Sequence, residues 1–458
     1  MWRNLSLDRA AASALGLCVV CFTLGSSSIA GLKSFGHDAR WLALLALWAC
    51  AVALALRNRR LRAPSRGSAS FVVATAGLLV ATMLLSATWS VDPWATVEHG
   101  VSFAVLLTAA GALALGSAGR PEVAQRLLAG VLVGAGVVLA AGLLLLLVRY
   151  GDAIVPATGS TPWRFRGIGE NPNTLPMIAA LVVPLAVAAA TGARGAAGRI
   201  APAAVLALAV ATIYASGSRG GLLGAFAGAI VVAAQPRPWT RRAAAVTVLS
   251  IAAFAGGAIA STIPQPTAPS QASNAGGGGS AAGGSAPAAP ASVPLGVRGA
   301  RLEDEVGSEG ESTRRTLFGS SGRTQAWQGA IDQANERPLL GYGFGTEDIV
   351  FFDRFRTFQG ARPENSFIGL YLQLGLVGLG LFAALGSALV VAGWRAARRL
   401  GGAARLTNAA CAGAVAAGVV LMCFQSYAYA AGNLVSATLW TCAFLLPASA
   451  TWDSREIA

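Results

Sequence analysis

Residues Leu127 to Val148 read LLAGVLVGAGVVLAAGLLLLLV, a stretch with no charged or strongly polar side chain. Wound as a helix it would extend about 33 Å, enough to cross the roughly 30 Å hydrocarbon core of a bilayer. Eleven further runs have the same character: 10–31, 40–56, 70–88, 99–118, 174–192, 200–215, 220–235, 243–262, 366–394, 407–430 and 433–450. The chain therefore reads as an all-α polytopic membrane protein of about 12 transmembrane helices. Its longest connection, an extracytoplasmic loop, lies between the ninth and tenth spans.

Composition agrees. Of the 458 residues, 55% are hydrophobic and 12% charged, with a mean hydropathy of +0.60, whereas soluble domains carry about 25% charged residues. The net charge of +14 does not imply nucleic acid as a partner. Nearly all the basic residues are arginines in short clusters between apolar runs, which is the pattern of a topology signal. All six cysteines lie within apolar runs, so the Cys18-x-x-Cys21 pair reads as small buried hydrophobes. His37 and His99 stand apart without carboxylate-rich neighbours, and neither a metal nor any cofactor is expected.

The arginines orient the chain. With the N-terminus inside, the inner loops hold Arg57, Arg59, Arg60, Arg62 and Arg66; Arg120 and Arg126; Arg194 and Arg199; Arg237, Arg241 and Arg242; and Arg395, Arg398, Arg399 and Arg405. The short outer loops hold only Lys33, Arg40, Arg149, Arg164, Arg166 and Arg219. Both termini are thus expected in the cytoplasm. Ser28-Ile29-Ala30 resembles a signal-peptide cleavage site, but the preceding apolar stretch is long for one, so a retained first span is favoured.

Four segments follow. Residues 1–262 carry spans one to nine, and 263–321 form a low-complexity part of the outer loop, rich in Ala, Gly, Ser and Pro and expected to be disordered. Residues 322–365 are the folded part of that loop, and 366–458 hold spans ten to twelve and a cytoplasmic tail. In the folded part, Gly322 to Ile331 has the pattern of a short amphipathic helix with Trp327, Ala330 and Ile331 on one face. Pro338 ends it, and Gly341-Tyr342-Gly343-Phe344-Gly345 predicts a tight turn.

Polar residues gather on the outer side at four places: Trp163 to Asn173, Ser216 to Gly221, Arg323 with Trp327, and Arg354 to Ser366. Arg219 lies where arginine is normally scarce. It is either an anchor snorkelling to head groups or a guanidinium placed by tight Ser/Gly turns to grip phosphate. Arg164 and Arg166 share the same two readings. Asn173 can cap the sixth span. Glu364 can favour the dipole of the helix that follows, or serve as an outward carboxylate that accepts a proton.

Glu170-Asn171-Pro172-Asn173, Ser216-Gly217-Ser218-Arg219-Gly220, Arg323-x-x-x-Trp327 with Pro338 to Gly345, and Asn365-Ser366-Phe367 leading into Leu374 to Leu379 occur in this order around a large outer loop. Over roughly residues 160–395 they resemble the O-antigen ligase/O-antigen polymerase superfamily. The resemblance implies metal-independent, inverting transfer of a glycan from an undecaprenyl-diphosphate carrier to an acceptor hydroxyl on a glycan, lipid or protein. The reaction would take place at the outer face of the cytoplasmic (inner) membrane, for surface polysaccharide assembly. It also implies that Arg219 and Arg323 hold the diphosphate, with Arg164 and Arg166 as helpers, and that Asn173, Asn365 and Trp327 support the site. Ligases of the family usually carry His before the Asn of the tenth span; here that position is Glu364, the candidate base.

Two other readings use the same features. A transporter or flippase of lipid-linked glycans suits twelve spans, but the halves show no repeat and the central spans lack ionisable residues. An inactive scaffold in a glycan assembly complex would account for the missing His.

Overall fold

A computed structural model of the chain describes residues 2–58, 68–156, 163–234, 323–351 and 362–452. The expected ninth span at 243–262 and the low-complexity segment at 263–321 lie outside the described residues.

The protein is an all-α polytopic membrane protein. Its helices are α1 (Trp2–Gly25), α2 (Ala30–Arg57), α3 (Ser68–Leu85), α4 (Pro93–Ser117), α5 (Pro121–Val148), the short α6 (Tyr150–Ala153), α7 (Thr174–Gly192), α8 (Ala196–Ser216) and α9 (Arg219–Ala233). Later in the chain come α10 (Arg323–Ala334), the one-turn α11 (Glu347–Val350), α12 (Ser366–Ala397), α13 (Gly402–Met422) and α14 (Ser436–Ala448). Among the described residues, nine helices are long and apolar enough to cross a membrane. α9 and α14 are apolar but shorter. Among the described residues, two strands, β1 (Ile154–Val155) and β2 (Arg164–Phe165), pair antiparallel.

α7 is buried at every position from Thr174 to Ala188, as expected of a helix apolar on all faces. It packs against α5, α8, α9 and α13. Between membrane helices there is little hydrophobic driving force, so close approach of small residues holds the bundle. α1 and α5 meet this way: a Cβ at Gly130 would collide with the Ala12 carbonyl, and one at Gly134 with that of Gly16. Buried Asp8 of α1 accepts from both Arg120 and Arg126 at 2.7 Å, tying α1 to the start of α5.

Two expected spans are not simple helices. The run at 407–430 stops being helical at Met422, and Cys423 to Val435 form a turning segment. Irregular backbone at this level is tolerated only when its polar groups are satisfied inside the protein, and here side chains do so. Ser366 Oγ donates to the Gln425 carbonyl and accepts from the Tyr427 and Ala428 amides. Trp440 Nε1 donates to the Ala428 carbonyl and Ser436 Oγ to that of Ala430.

The run at 366–394 is one helix by hydropathy, but α12 breaks at Gly375, with φ 61° and ψ −161°. That conformation is accessible essentially to glycine alone. The groups released by the break bind the outer loop: the Tyr342 and Gly343 amides donate to the Leu372 and Gln373 carbonyls at 3.1 and 2.9 Å, and the Leu376 amide donates to the Pro338 carbonyl at 2.8 Å. The expected tight turn at 341–345 therefore docks into the broken helix.

Candidate functional site

The first turns of helices α7, α9 and α12 converge with the start of α10 and the 423–435 segment. Ser218 is the N-cap of α9, its hydroxyl accepting from the Gly221 amide at 3.3 Å, which places Arg219 first in the helix. Gly220 lies against the Phe424 ring, so Arg219 sits beside the 423–435 segment. The Arg219 and Arg323 guanidinium groups are near enough to repel each other. Two helix starts and two mutually repelling cations make this a strongly electropositive corner.

Arg323 donates from Nη2 to Glu364 Oε2 at 2.6 Å, and both side chains are about one quarter exposed. Among the described residues, the buried Nε of Arg323 has no hydrogen-bond partner. Gln425 Nε2 approaches the same Glu364 oxygen at 3.4 Å. Glu364 has φ 48°, and among the described residues no other non-glycine residue has a positive φ. Such a residue costs about 1–3 kcal/mol and persists only where its surroundings enforce it. On one side Trp327 Nε1 donates to the Pro363 carbonyl at 2.7 Å. On the other, Asn365 caps α12, its Oδ1 accepting from the Phe367 and Ile368 amides at 3.0 and 3.2 Å. Asn365, not Glu364, supplies the side-chain cap.

Asn173 occupies the N-cap position of α7 but makes no side-chain cap. Its Oδ1 instead accepts from Arg164 Nη2 at 3.1 Å and from Ser218 Oγ at 3.2 Å. Arg164 Nε donates to the Ser216 carbonyl at the end of α8 at 2.9 Å. Arg164 and Asn173 thus brace the α8–α9 turn that carries Arg219. Arg166 lies further out, its Nε donating to the Asp152 carbonyl at 3.0 Å. Glu170 pairs with Lys33 at 2.9 Å, with both side chains about half exposed.

A second carboxylate, missed in the sequence, lies behind Glu364. Glu347 is 3% exposed, and its oxygens accept from Ser426 Oγ at 2.5 Å and Tyr429 Oη at 2.6 Å. Burial pushes the Glu347 carboxyl above its ordinary range, against the two hydroxyl hydrogen bonds and the charge of Arg362. Polar residues inside the apolar run after Met422 (Gln425, Ser426, Tyr427 and Tyr429) were the available signal for this part of the site.

Residues 204–383 match the family model for O-antigen ligase. This segment is similar to the O-antigen ligase family. The match bears out the resemblance drawn from the motifs to the O-antigen ligase/O-antigen polymerase superfamily. It takes in Arg219, Arg323, Trp327, Glu347, Glu364 and Asn365. Arg164, Arg166, Asn173 and the 423–435 segment lie outside it. No curated protein matches the chain.

Proposed function

We propose that the protein is a membrane glycosyl-transferring enzyme of surface polysaccharide assembly. It moves a glycan from an undecaprenyl-diphosphate carrier to an acceptor hydroxyl at the outer face of the cytoplasmic membrane. The observation that carries this reading is the pairing of Glu364 with Arg323 beside Arg219, inside the segment that matches the O-antigen ligase family. Inverting transfer needs cations where the diphosphate develops charge and a base at the acceptor hydroxyl, and at this corner Arg323 and Glu364 lie 2.6 Å apart with Arg219 near enough to repel Arg323.

In this mechanism Arg219 and Arg323 receive the donor diphosphate, with the Nε of Arg323, which has no partner among the described residues, as a further donor. The arriving diphosphate competes with Glu364 for Arg323 and loosens the ion pair. The freed Glu364 carboxylate takes the proton of the acceptor hydroxyl. The acceptor oxygen then bonds to the anomeric carbon from the face opposite the leaving group, while the bond from that carbon to the diphosphate oxygen breaks. Undecaprenyl diphosphate leaves with its negative charge held by the arginines. Arg164 and Asn173 keep the Arg219 turn in place, Trp327 and Asn365 hold Glu364 from either side, and Arg166 assists from the rim. The large loop lies outside, and both termini lie in the cytoplasm.

The test is purified protein in nanodiscs with a synthetic undecaprenyl-diphosphate oligosaccharide, with and without an added glycan acceptor. A ladder of longer lipid-linked glycans identifies a polymerase, and glycosylation of the acceptor alone identifies a ligase. Absence of both products overturns the proposal. Movement of the labelled donor across the bilayer would then favour a flippase.

A further inference from the structure

The backbone of Glu364 is held in part by the atoms that fix the peptide bond following it. That peptide is planar, so whatever fixes the Asn365 N–H also fixes the ψ angle of Glu364. The Asn365 N–H donates to Ser426 Oγ at 3.2 Å. A serine hydroxyl has one proton, and that of Ser426 goes to Glu347 Oε1 at 2.5 Å, leaving its lone pairs to accept from Asn365. The other Glu347 oxygen is occupied by the Tyr429 hydroxyl at 2.6 Å and approached by Gln373 Nε2 at 3.5 Å. Both carboxylate oxygens are therefore required, each taking one hydroxyl proton. A glutamine here would offer a single acceptor oxygen.

Glu347 is itself well placed to be rigid. It begins α11 directly after the glycine turn docked in the α12 break, and the Gly345 amide is pinned by Gln373 Oε1 at 2.6 Å. The His99 ring of α4 lies against Gly345 on the other side. Burying a carboxylate is unfavourable, and a merely structural pin could be made with neutral groups. A buried carboxylate two hydrogen bonds from the candidate base is thus a functional arrangement.

We propose that Glu347 is a positioning residue for the transfer reaction, acting through Ser426 and the Asn365 amide to hold the Glu364 carboxylate towards the electropositive corner. The inference rests on the reading of Glu364 as the base, and it deepens that reading by naming what aims the base.

The test measures transfer and backbone exchange side by side. Glu347→Gln and Ser426→Ala are each expected to lower kcat about ten- to a hundredfold, the scale of a small misplacement of a reacting group, with donor KM changed less than about twofold. Because the two residues act in series, the double variant should be no slower than the worse single one. Ser426→Thr keeps the hydroxyl and should recover kcat to within about threefold of wild type. In parallel, hydrogen exchange of the peptide spanning Asn365 should be several-fold faster in Ser426→Ala than in Ser426→Thr. Wild-type kcat in Ser426→Ala, multiplying losses in the double variant, or unchanged exchange at Asn365 would each overturn the proposal. If Glu347→Gln does not fold, the two Ser426 variants still decide it. A wild-type protein without transfer would overturn the proposed function instead, and the exchange comparison would then decide alone whether Ser426 holds the Asn365 amide.

Discussion

Arg323 and Glu364 form a 2.6 Å ion pair in which the carboxylate sits on a left-handed backbone, with φ 48°. The pair fixes the order of events in the proposed reaction. While Arg323 holds Glu364, the carboxylate oxygen that it donates to is taken and not open to a sugar hydroxyl. A donor diphosphate, carrying more charge than one carboxylate, draws the guanidinium away. The prediction is that Glu364→Gln abolishes transfer by about 10²–10⁴-fold, the usual contribution of a general base, while donor affinity stays level or tightens. Arg323→Ala should weaken donor binding as well as transfer. Binding of labelled donor to the purified variants, read beside product formation, separates the two effects. Loss of donor affinity in Glu364→Gln would contradict a base role.

Asn173 and Arg166 were both expected at the site, yet their surroundings differ. Asn173 Oδ1 takes hydrogen bonds from Arg164 and Ser218 at once, so Asn173→Ala leaves two part-buried donors without that acceptor. A cost of about 1–3 kcal/mol is expected, together with slackening of the turn that holds Arg219 and a loss of transfer. Arg166 makes an exposed hydrogen bond to a carbonyl, and Arg166→Ala should change stability by less than about 0.5 kcal/mol. Melting curves in detergent rank the two variants. An Arg166→Ala variant as damaged as Asn173→Ala would overturn this assignment.

Much of this architecture is legible in the sequence, because the bilayer imposes a simple rule on length and polarity. Residues 127–148 and 174–192 coincide closely with α5 and α7. Arg219 stood out because charge at the edge of an apolar span is costly, Arg323 and Glu364 because they match the family's polar segments, and the structure gathers the three at one corner. What the sequence obscured has a common cause: hydropathy averages over a window and cannot register where the backbone leaves a helix. Gly375 breaks α12 because the carbonyls it frees find the 342–343 amides, far away in sequence. The helix at 407–422 ends because Ser366, Ser436 and Trp440 satisfy the turning backbone beyond it. Glu347 had no local signature, since its partners Ser426 and Tyr429 come from that same hidden segment.

The break in α12 yields a sharp contrast between two glycines of one helix. Gly375 has a positive φ, and a Cβ there would strike the Leu339 backbone. Gly375→Ala must therefore straighten the helix or expel the outer loop. A loss of at least about 3 kcal/mol is expected, visible as aggregation on size exclusion or a strongly lowered melting temperature. Gly380 lies five residues on, with nothing within 4 Å of an added Cβ. Gly380→Ala should be neutral or stabilising by up to about 1 kcal/mol. Equal behaviour of the two variants would mean that the break is not built into the fold.

Glu347 gives the outer segment a pH dependence whose sign can be worked out. Its carboxyl is raised by burial above the ordinary range, with Arg362 and the Ser426 and Tyr429 hydroxyls opposing that rise and Asp348 adding to it. The folded site thus holds this proton more tightly than an unfolded chain, whose glutamate titrates near about 4.3. The stabilisation from Glu347 is fully present below that unfolded value and is lost as pH rises through the higher folded value. As pH falls towards that unfolded value the wild-type protein should gain stability as Glu347 takes up its proton, giving up one of the two hydroxyl hydrogen bonds that it accepts when ionised. Glu347→Gln carries no titrating group there, so its melting temperature should vary less across the same range. Melting the two proteins side by side in detergent at several pH values isolates the effect, because every other ionisable group is shared. A variant with a steeper slope than wild type would show that Glu347 is held ionised, with its charge balanced by Arg362.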